Sequence, residues 1–241
     1  MSHPVPATLY RVAAVAGCGS AAILLINAAK RAEIIPTTAA TQLVAPLAQM
    51  MALALITALY VAFGRRTGSF GLAAFLLNAF SLSALVGVEF VINLVFHDLT
   101  AETIQTLRAG PLGVALTVVS LSFLIGTLGF VTAMLRGGEL PRLPLVLYAV
   151  GALPVALRAF VPEAALDLGL VLLAASITWL AIWLYLRSDQ IDTWATSTTD
   201  PPVGRHSGVD RLGRVVGDDL ADPDVWSSTD GTRSGRRADV G

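Results

Sequence analysis

Cysteine is nearly absent from this chain. Cys18 stands alone among 241 residues, so an intramolecular disulfide and a thiolate metal cluster are both excluded. Charge is scarce as well: only 14% of residues are Asp, Glu, Lys or Arg, while 55% are hydrophobic and the mean hydropathy is +0.71. That balance excludes an ordinary soluble domain and offers no basic surface for a nucleic acid. Lysine occurs once, as Lys30, against 15 arginines, and histidine three times. No nucleophile triad, zinc-protease helix or phosphate loop is present.

Long apolar runs are what the sequence has. A spanning helix needs about 20 mostly apolar residues to cross roughly 30 Å of hydrocarbon. Six stretches qualify, near 12–29, 43–63, 70–96, 112–135, 144–161 and 164–186. Arg65-Arg66-Thr67-Gly68-Ser69 and Arg136-Gly137-Gly138-Glu139-Leu140-Pro141 read as tight connections. Between the third and fourth spans, Thr100 as N-cap, Glu102 in the first turn and Gly110-Pro111 as a stop predict a short interfacial helix. Pro154 is expected to kink the fifth span near Gly151, and Pro162 to open the sixth. The expected fold is an all-α integral membrane protein: a six-helix transmembrane bundle over 1–187 and, from its Ser, Thr, Asp, Gly and Arg content, a disordered tail over 188–241.

The opening stretch RVAAVAGCGSAAILL, residues 11–25, permits two sharper readings. Gly17-x-Gly19-x-x-Ala22 has the spacing of a dinucleotide-binding turn, with Glu33 further on, but no soluble parallel sheet follows it. Val15-Ala16-Gly17-Cys18 has the form of a lipoprotein cleavage box, but only six residues separate Arg11 from Cys18 and the apolar run continues to Ala29. The stretch is therefore expected to be the first spanning helix, with Gly17, Cys18, Gly19 and Ser20 as a small-residue packing face. Ser81-Leu82-Ser83-Ala84-Leu85-Val86-Gly87 is echoed by Ser120-Leu121-Ser122-Phe123-Leu124-Ile125-Gly126, which joins the third span to the fourth and so does not fit an inverted transporter repeat.

An ionisable residue within a span is costly and marks a candidate site. In VEFVINLVFHD, Glu89, Asn93 and His97 fall at i, i+4 and i+8 of one helical face. Helix parity places the ends of the first, third and fifth spans in the leaflet where the second, fourth and sixth begin. Asn27, Lys30, Arg31, Glu89, Asn93, His97, Arg158 and Asp167 can therefore converge, with Arg158 the natural ion-pair partner of Glu89. A metal at His97 would need ligands from Asp98, Glu163 or Asp167; no metal site and no cofactor is expected. Gln49 and Thr57, with Thr117, Ser120, Ser122 and Thr127, read as interhelical hydrogen-bond partners.

The runs Leu9-Tyr10-Arg11, LVGVEFVINLVF and LRAFVPEAALDLGLVLLA resemble uncharacterised multi-pass membrane proteins of bacteria with high-GC genomes, the DUF4386-like proteins, and the excess of arginine over lysine fits that coding bias. The resemblance implies a multi-pass membrane fold and no assigned activity. Three functions follow from the residues. The first is a non-enzymatic or regulatory membrane component whose tail binds a protein partner, with the lipid bilayer around its bundle. The second is a small transporter or proton pathway using Glu89 and Arg158, and the third a lipid-modifying enzyme using Glu89, His97 and Asp98.

Arg11, Arg65, Arg66, Arg136, Arg142 and Arg187 flank the spans on one side; Lys30, Arg31, Arg108 and Arg158 lie on the other among five carboxylates, Glu33, Asp98, Glu102, Glu163 and Asp167. The positive side faces the cytoplasm, so both termini are predicted to be cytoplasmic in the plasma membrane. A C-terminal phosphatase fusion should accordingly be inactive and a C-terminal fluorescent fusion bright; the reverse pattern would invert the topology.

Overall fold

A computed structural model describes residues 6–158 and 160–197, and within them every regular element is helical. Helix α1 (Ala7–Arg31) follows extended Pro6 and closes with Lys30 and Arg31, cations that complement the negative end of its dipole. Helix α2 (Ala39–Val44) is capped by Thr38, and α3 (Leu47–Phe63) resumes beyond Pro46. The second span is thus two helices, because Pro46 lacks the N–H that a continuous ladder would need. Helix α4 (Gly68–Phe90) passes into a wide π turn (Val91–Val95) and a 3-10 turn (Phe96–Asp98). The interfacial helix α5 (Ala101–Ala109) has the expected Thr100 cap. Helix α6 (Pro111–Gly137) ends on Gly138, whose φ of +73° reverses the chain at little cost only because it carries no Cβ. Helices α7 (Arg142–Ala156) and α8 (Glu163–Ser197) complete the described residues.

Among the described residues five helical stretches are long and apolar enough to cross a membrane: Ala7–Arg31, Ala39–Phe63, Gly68–Asp98, Pro111–Gly137 and Glu163–Ile191. The fold is an all-helical membrane bundle, with the fifth expected span, 144–161, the exception. Helix α7 has 15 residues, about 22 Å at 1.5 Å per residue, and stops at Ala156 instead of continuing to 161. Pro154 has already removed one ladder bond, and the chain then turns, with Phe160 N–H donating to the Leu157 carbonyl at 2.8 Å. The tail boundary also shifts. Residues 188–197 continue α8, and Arg11 fixes this extension by donating to both carboxylate oxygens of Asp189 at 2.8 Å and to Ser188 Oγ at 3.2 Å. The rest of the expected tail, 198–241, lies outside the described residues.

Helices α1, α8, α7, α6, α4 and α3 each pack on the next, and α3 returns to α1, so the six close a ring. Four approaches hold it. Ser20 Oγ donates to the Ala48 carbonyl at 2.8 Å, tying α1 to α3, and Ser176 Oγ to the Pro144 carbonyl at 2.7 Å, tying α8 to α7. Thr127 Oγ1 donates to Asn78 Oδ1 at 3.2 Å between α6 and α4, beside Gly126, where a Cβ would fall 2.7 Å from the Asn78 nitrogen. Across α7 and α8 a Cβ on Gly151 would meet the Leu173 nitrogen at 2.8 Å. In lipid, where apolar burial gives little net drive, such close backbone contacts and hydrogen bonds supply the association energy.

The opening glycine stretch is an uninterrupted part of α1, and among the described residues no strand precedes or follows it, which removes the dinucleotide reading. Gly17 faces Leu55 and Ala181, Gly19 faces Met51 and Ser20 faces Ala48, but Cys18 is exposed, because four consecutive helical residues cannot share one face. Of the serine-glycine echo, Gly126 makes a close helix contact and Gly87 faces open space.

The end of the ring remote from Glu89 is dry and sealed. Leu59, Phe130, Met134, Leu180 and Leu184 are all at most 1% exposed there. Around that end Arg187 lies over Trp183, Arg136 over Phe70 and Arg11 over Tyr185, and Arg66 pairs with Glu139. Gly126→Leu should lower stability by about 1–3 kcal/mol through overpacking against α4, whereas Gly87→Leu should be nearly silent. Unfolding of the two variants by SDS in mixed micelles measures the difference.

Candidate functional site

At the other end the ring encloses a cavity of about 330 Å³. All six ring helices contribute to its wall, and α2 and the Thr37 loop cover part of it. On α1 the lining runs from Arg31 and Lys30 through Asn27 and Leu24 to Ser20, about 16 Å of depth at 1.5 Å per residue. Polar groups crowd the mouth and apolar ones the interior, with Leu82, Leu85, Phe123, Leu173 and Ile177 toward the floor.

The π turn shapes the mouth. It ends α4 one residue after Glu89, and Asn93 then turns back so that its Nδ2 donates to the Glu89 backbone carbonyl at 3.0 Å and to Glu89 Oε2 at 2.9 Å. Widened turns of this kind recur at functional sites because they re-aim side chains out of the regular α pattern. The amide oxygen of Asn93, Oδ1, accepts from Lys30 Nζ at 2.7 Å. Arg158, released from helical geometry just past the end of α7, brings Nη1 to 4.0 Å from Glu89 Oε1. The carboxylate is thus faced by a guanidinium on one side and by an amide carrying an ammonium on the other, with the Glu89 and Arg158 side chains 19% and 27% exposed. A second pair closes the rim, where Arg31 holds Asp167 at 3.2 Å and Glu163 at 3.8 Å.

Of the eight site residues expected from the sequence, Asn27, Lys30, Arg31, Glu89, Asn93, His97 and Arg158 line this cavity, and Asp167 is joined to it through Arg31. His97 is exposed at the mouth and, among the described residues, makes no hydrogen bond with Glu89 or Asp98. Among the described residues no three His, Cys, Asp or Glu side chains gather as a metal site would require.

Sequence reasoning missed the deeper polar lining. Gln42, Gln49 and Tyr148 face the cavity, although Gln49 had the look of a helix-to-helix glue residue. Asn27 Oδ1 and Gln49 Oε1 are buried and accept no hydrogen bond within the protein. The signal was present as two amides inside apolar spans, but nothing in the sequence says whether they meet a neighbouring helix or an open space. Of the expected interhelical partners Thr127 does act as one, donating to Asn78.

The geometry defines a class: an all-helical membrane bundle with a one-ended internal cavity and an ion-paired rim. Compared with family models, curated proteins and solved structures, the chain matches none.

Removing either member of the Glu89 and Arg158 pair leaves the other charge without its partner in a mostly apolar wall. Glu89→Gln and Arg158→Gln should each destabilise, and the double variant should cost less than their sum, with a coupling of about 0.5–3 kcal/mol. SDS unfolding of the four proteins tests this; strictly additive effects would show that the pair carries no energy.

Proposed function

We propose that this protein is a non-enzymatic membrane component that binds a small molecule in the cavity enclosed by its helix ring. The observation that carries this reading is the pair of buried acceptors, Asn27 Oδ1 and Gln49 Oε1, without protein partners in a cavity of about 330 Å³. Buried polar atoms in folded proteins are nearly always satisfied, and about 300 Å³ is the lower end of the range in which small-molecule sites fall. The ligand carries hydrogen-bond donors that meet the two amide oxygens below the rim. At its outer end it meets the charged rim of Lys30, Arg158 and Glu89.

With both termini cytoplasmic in the plasma membrane, the cavity mouth faces away from the cytoplasm. The protein then senses or collects its ligand from outside the cell, and its C-terminal tail is the segment available to a cytoplasmic partner. Transport is the second reading, favoured by the depth of the cavity along α1. It requires the sealed end to open, which means parting Gly17 from Leu55 and Ala181. Flux into proteoliposomes separates carrier from receptor.

A thermal-shift panel of compounds of about 100–250 Da bearing amine or hydroxyl donors tests the binding reading in purified, full-length protein. At least one compound should stabilise the wild type by several degrees and fail to stabilise the Asn27→Leu, Gln49→Leu double variant. Identical responses of the two proteins would mean that water alone satisfies these oxygens, and the reading would fall.

A further inference from the structure

A second cavity of about 430 Å³ lies outside the ring, against α6, the π turn and the turn between α7 and α8. Its polar end is formed by three arginines from three elements: Arg31 at the end of α1, Arg108 on α5 and Arg158 after α7. Glu163 is its one carboxylate lining residue among those described. Arg31 is occupied by Asp167 and Glu163, and Arg158 reaches Glu89 at 4.0 Å with one of its five N–H donors. Arg108 has no carboxylate within 4.0 Å among the described residues; its guanidinium rests on the Phe96 ring, 5.4 Å from the centroid. The cleft therefore offers unspent guanidinium donors, and Arg108 is the one of its three arginines with no carboxylate partner among the described residues.

The remaining wall is mainly apolar, from Ile92, Leu116, Leu121, Ala156, Leu157, Phe160 and Leu166, with the hydroxyls of Thr117 and Ser120 set among the α6 residues. Along α6 the lining descends from Gly113 through Leu116 to Leu121, about 12 Å at 1.5 Å per residue. Leu121 also belongs to the exposed apolar stripe Val114, Val118, Leu121, Ile125, which faces outward where acyl chains lie in a bilayer. Guanidinium groups thus stand at the level where the spans end, above an apolar slot at acyl-chain depth. Water-soluble anions match the first half of that arrangement and hydrocarbons the second; only an anionic amphiphile matches both.

We propose that this lateral cleft binds an anionic phospholipid, with the phosphate on Arg108 and Arg158 and one acyl chain along Leu116 and Leu121. The planar guanidinium fork suits phosphate oxygens, which it can hold through two parallel hydrogen bonds. Arg158 and Arg31 border both cavities, so the lipid phosphate and the Glu89 carboxylate draw on one guanidinium from opposite sides. The proposal does not rest on the inner cavity's taking a ligand, although the two sites share Arg158.

Delipidated full-length protein in mild detergent, titrated with phosphatidylglycerol or phosphatidylcholine and read by native mass spectrometry, tests the proposal. One phosphatidylglycerol should be retained at least fivefold more strongly than phosphatidylcholine. Arg108→Gln, an exposed position without an ion pair, should keep its melting temperature and lose about tenfold in phosphatidylglycerol affinity, the scale of one lost charge-assisted hydrogen bond. Leu121→Trp should block the slot, and Arg136→Gln at the opposite end should bind as the wild type does. Equal retention of the two lipids, undiminished binding by Arg108→Gln, or displacement of the lipid by millimolar inorganic phosphate would each overturn it.

Discussion

Glu89 is a carboxylate set into a wall of apolar helices, and an ionised group there must be compensated or the bundle does not hold together. Compensation comes from three directions: Arg158 at 4.0 Å, the Asn93 amide at 2.9 Å, and Lys30 through that amide. Each contact binds a different part of the chain to α4. Lys30 brings the end of α1, Arg158 the turn beyond α7, and Asn93 sits in the π turn that ends the regular helix. The same requirement fits the shortness of α7. A helix continued to residue 161 would carry Arg158 round in α geometry, whereas stopping at Ala156 frees its side chain to meet Glu89.

Around this anchor the two halves of the ring are built on different principles. The sealed half excludes water with fully buried Leu59, Phe130, Met134, Leu180 and Leu184. Small residues there and at mid-height, Gly17, Gly126 and Gly151, let backbones meet directly. The open half keeps a cavity because its charged and amide side chains cannot pack to crystal-like density without leaving polar atoms unpaired. Two such atoms, on Asn27 and Gln49, remain unpaired within the protein.

Much of the site was legible from chain parity alone. Counting spans puts the ends of α1 and α7 beside the end of α4, and since few charges occur within the spans, Glu89 and Arg158 had few alternatives to each other. The interfacial helix was equally legible, because Thr100, Glu102 and Gly110 are local signals for local structure. The break at Pro46 was present in the sequence but hidden in a long apolar run. The π turn had no signal, since the i, i+4, i+8 spacing of Glu89, Asn93 and His97 reads as a regular face and all three still reach one cavity. Continuation of α8 to Ser197 was obscured by its polar composition; what holds its start is an ion pair with Arg11, 178 positions away in the chain.

The sequence by itself determined the solvent, the helical class, the positions of most helices within a few residues, and the set of polar residues that must share one end of the bundle. Those follow from hydrophobic length and from the direction in which each helix must run, which are one-dimensional properties. Only the tertiary structure decided that the helices close a ring, that Asn27 and Gln49 face its interior while Asn78 meets Thr127, and that arginines from α1, α5 and the turn after α7 border a cleft on its flank. In an apolar helix every face looks alike to the sequence, and rotation about the helix axis is set by close contacts such as Gly126 on Asn78 and Ser20 on Ala48, which exist only once the neighbours are in place.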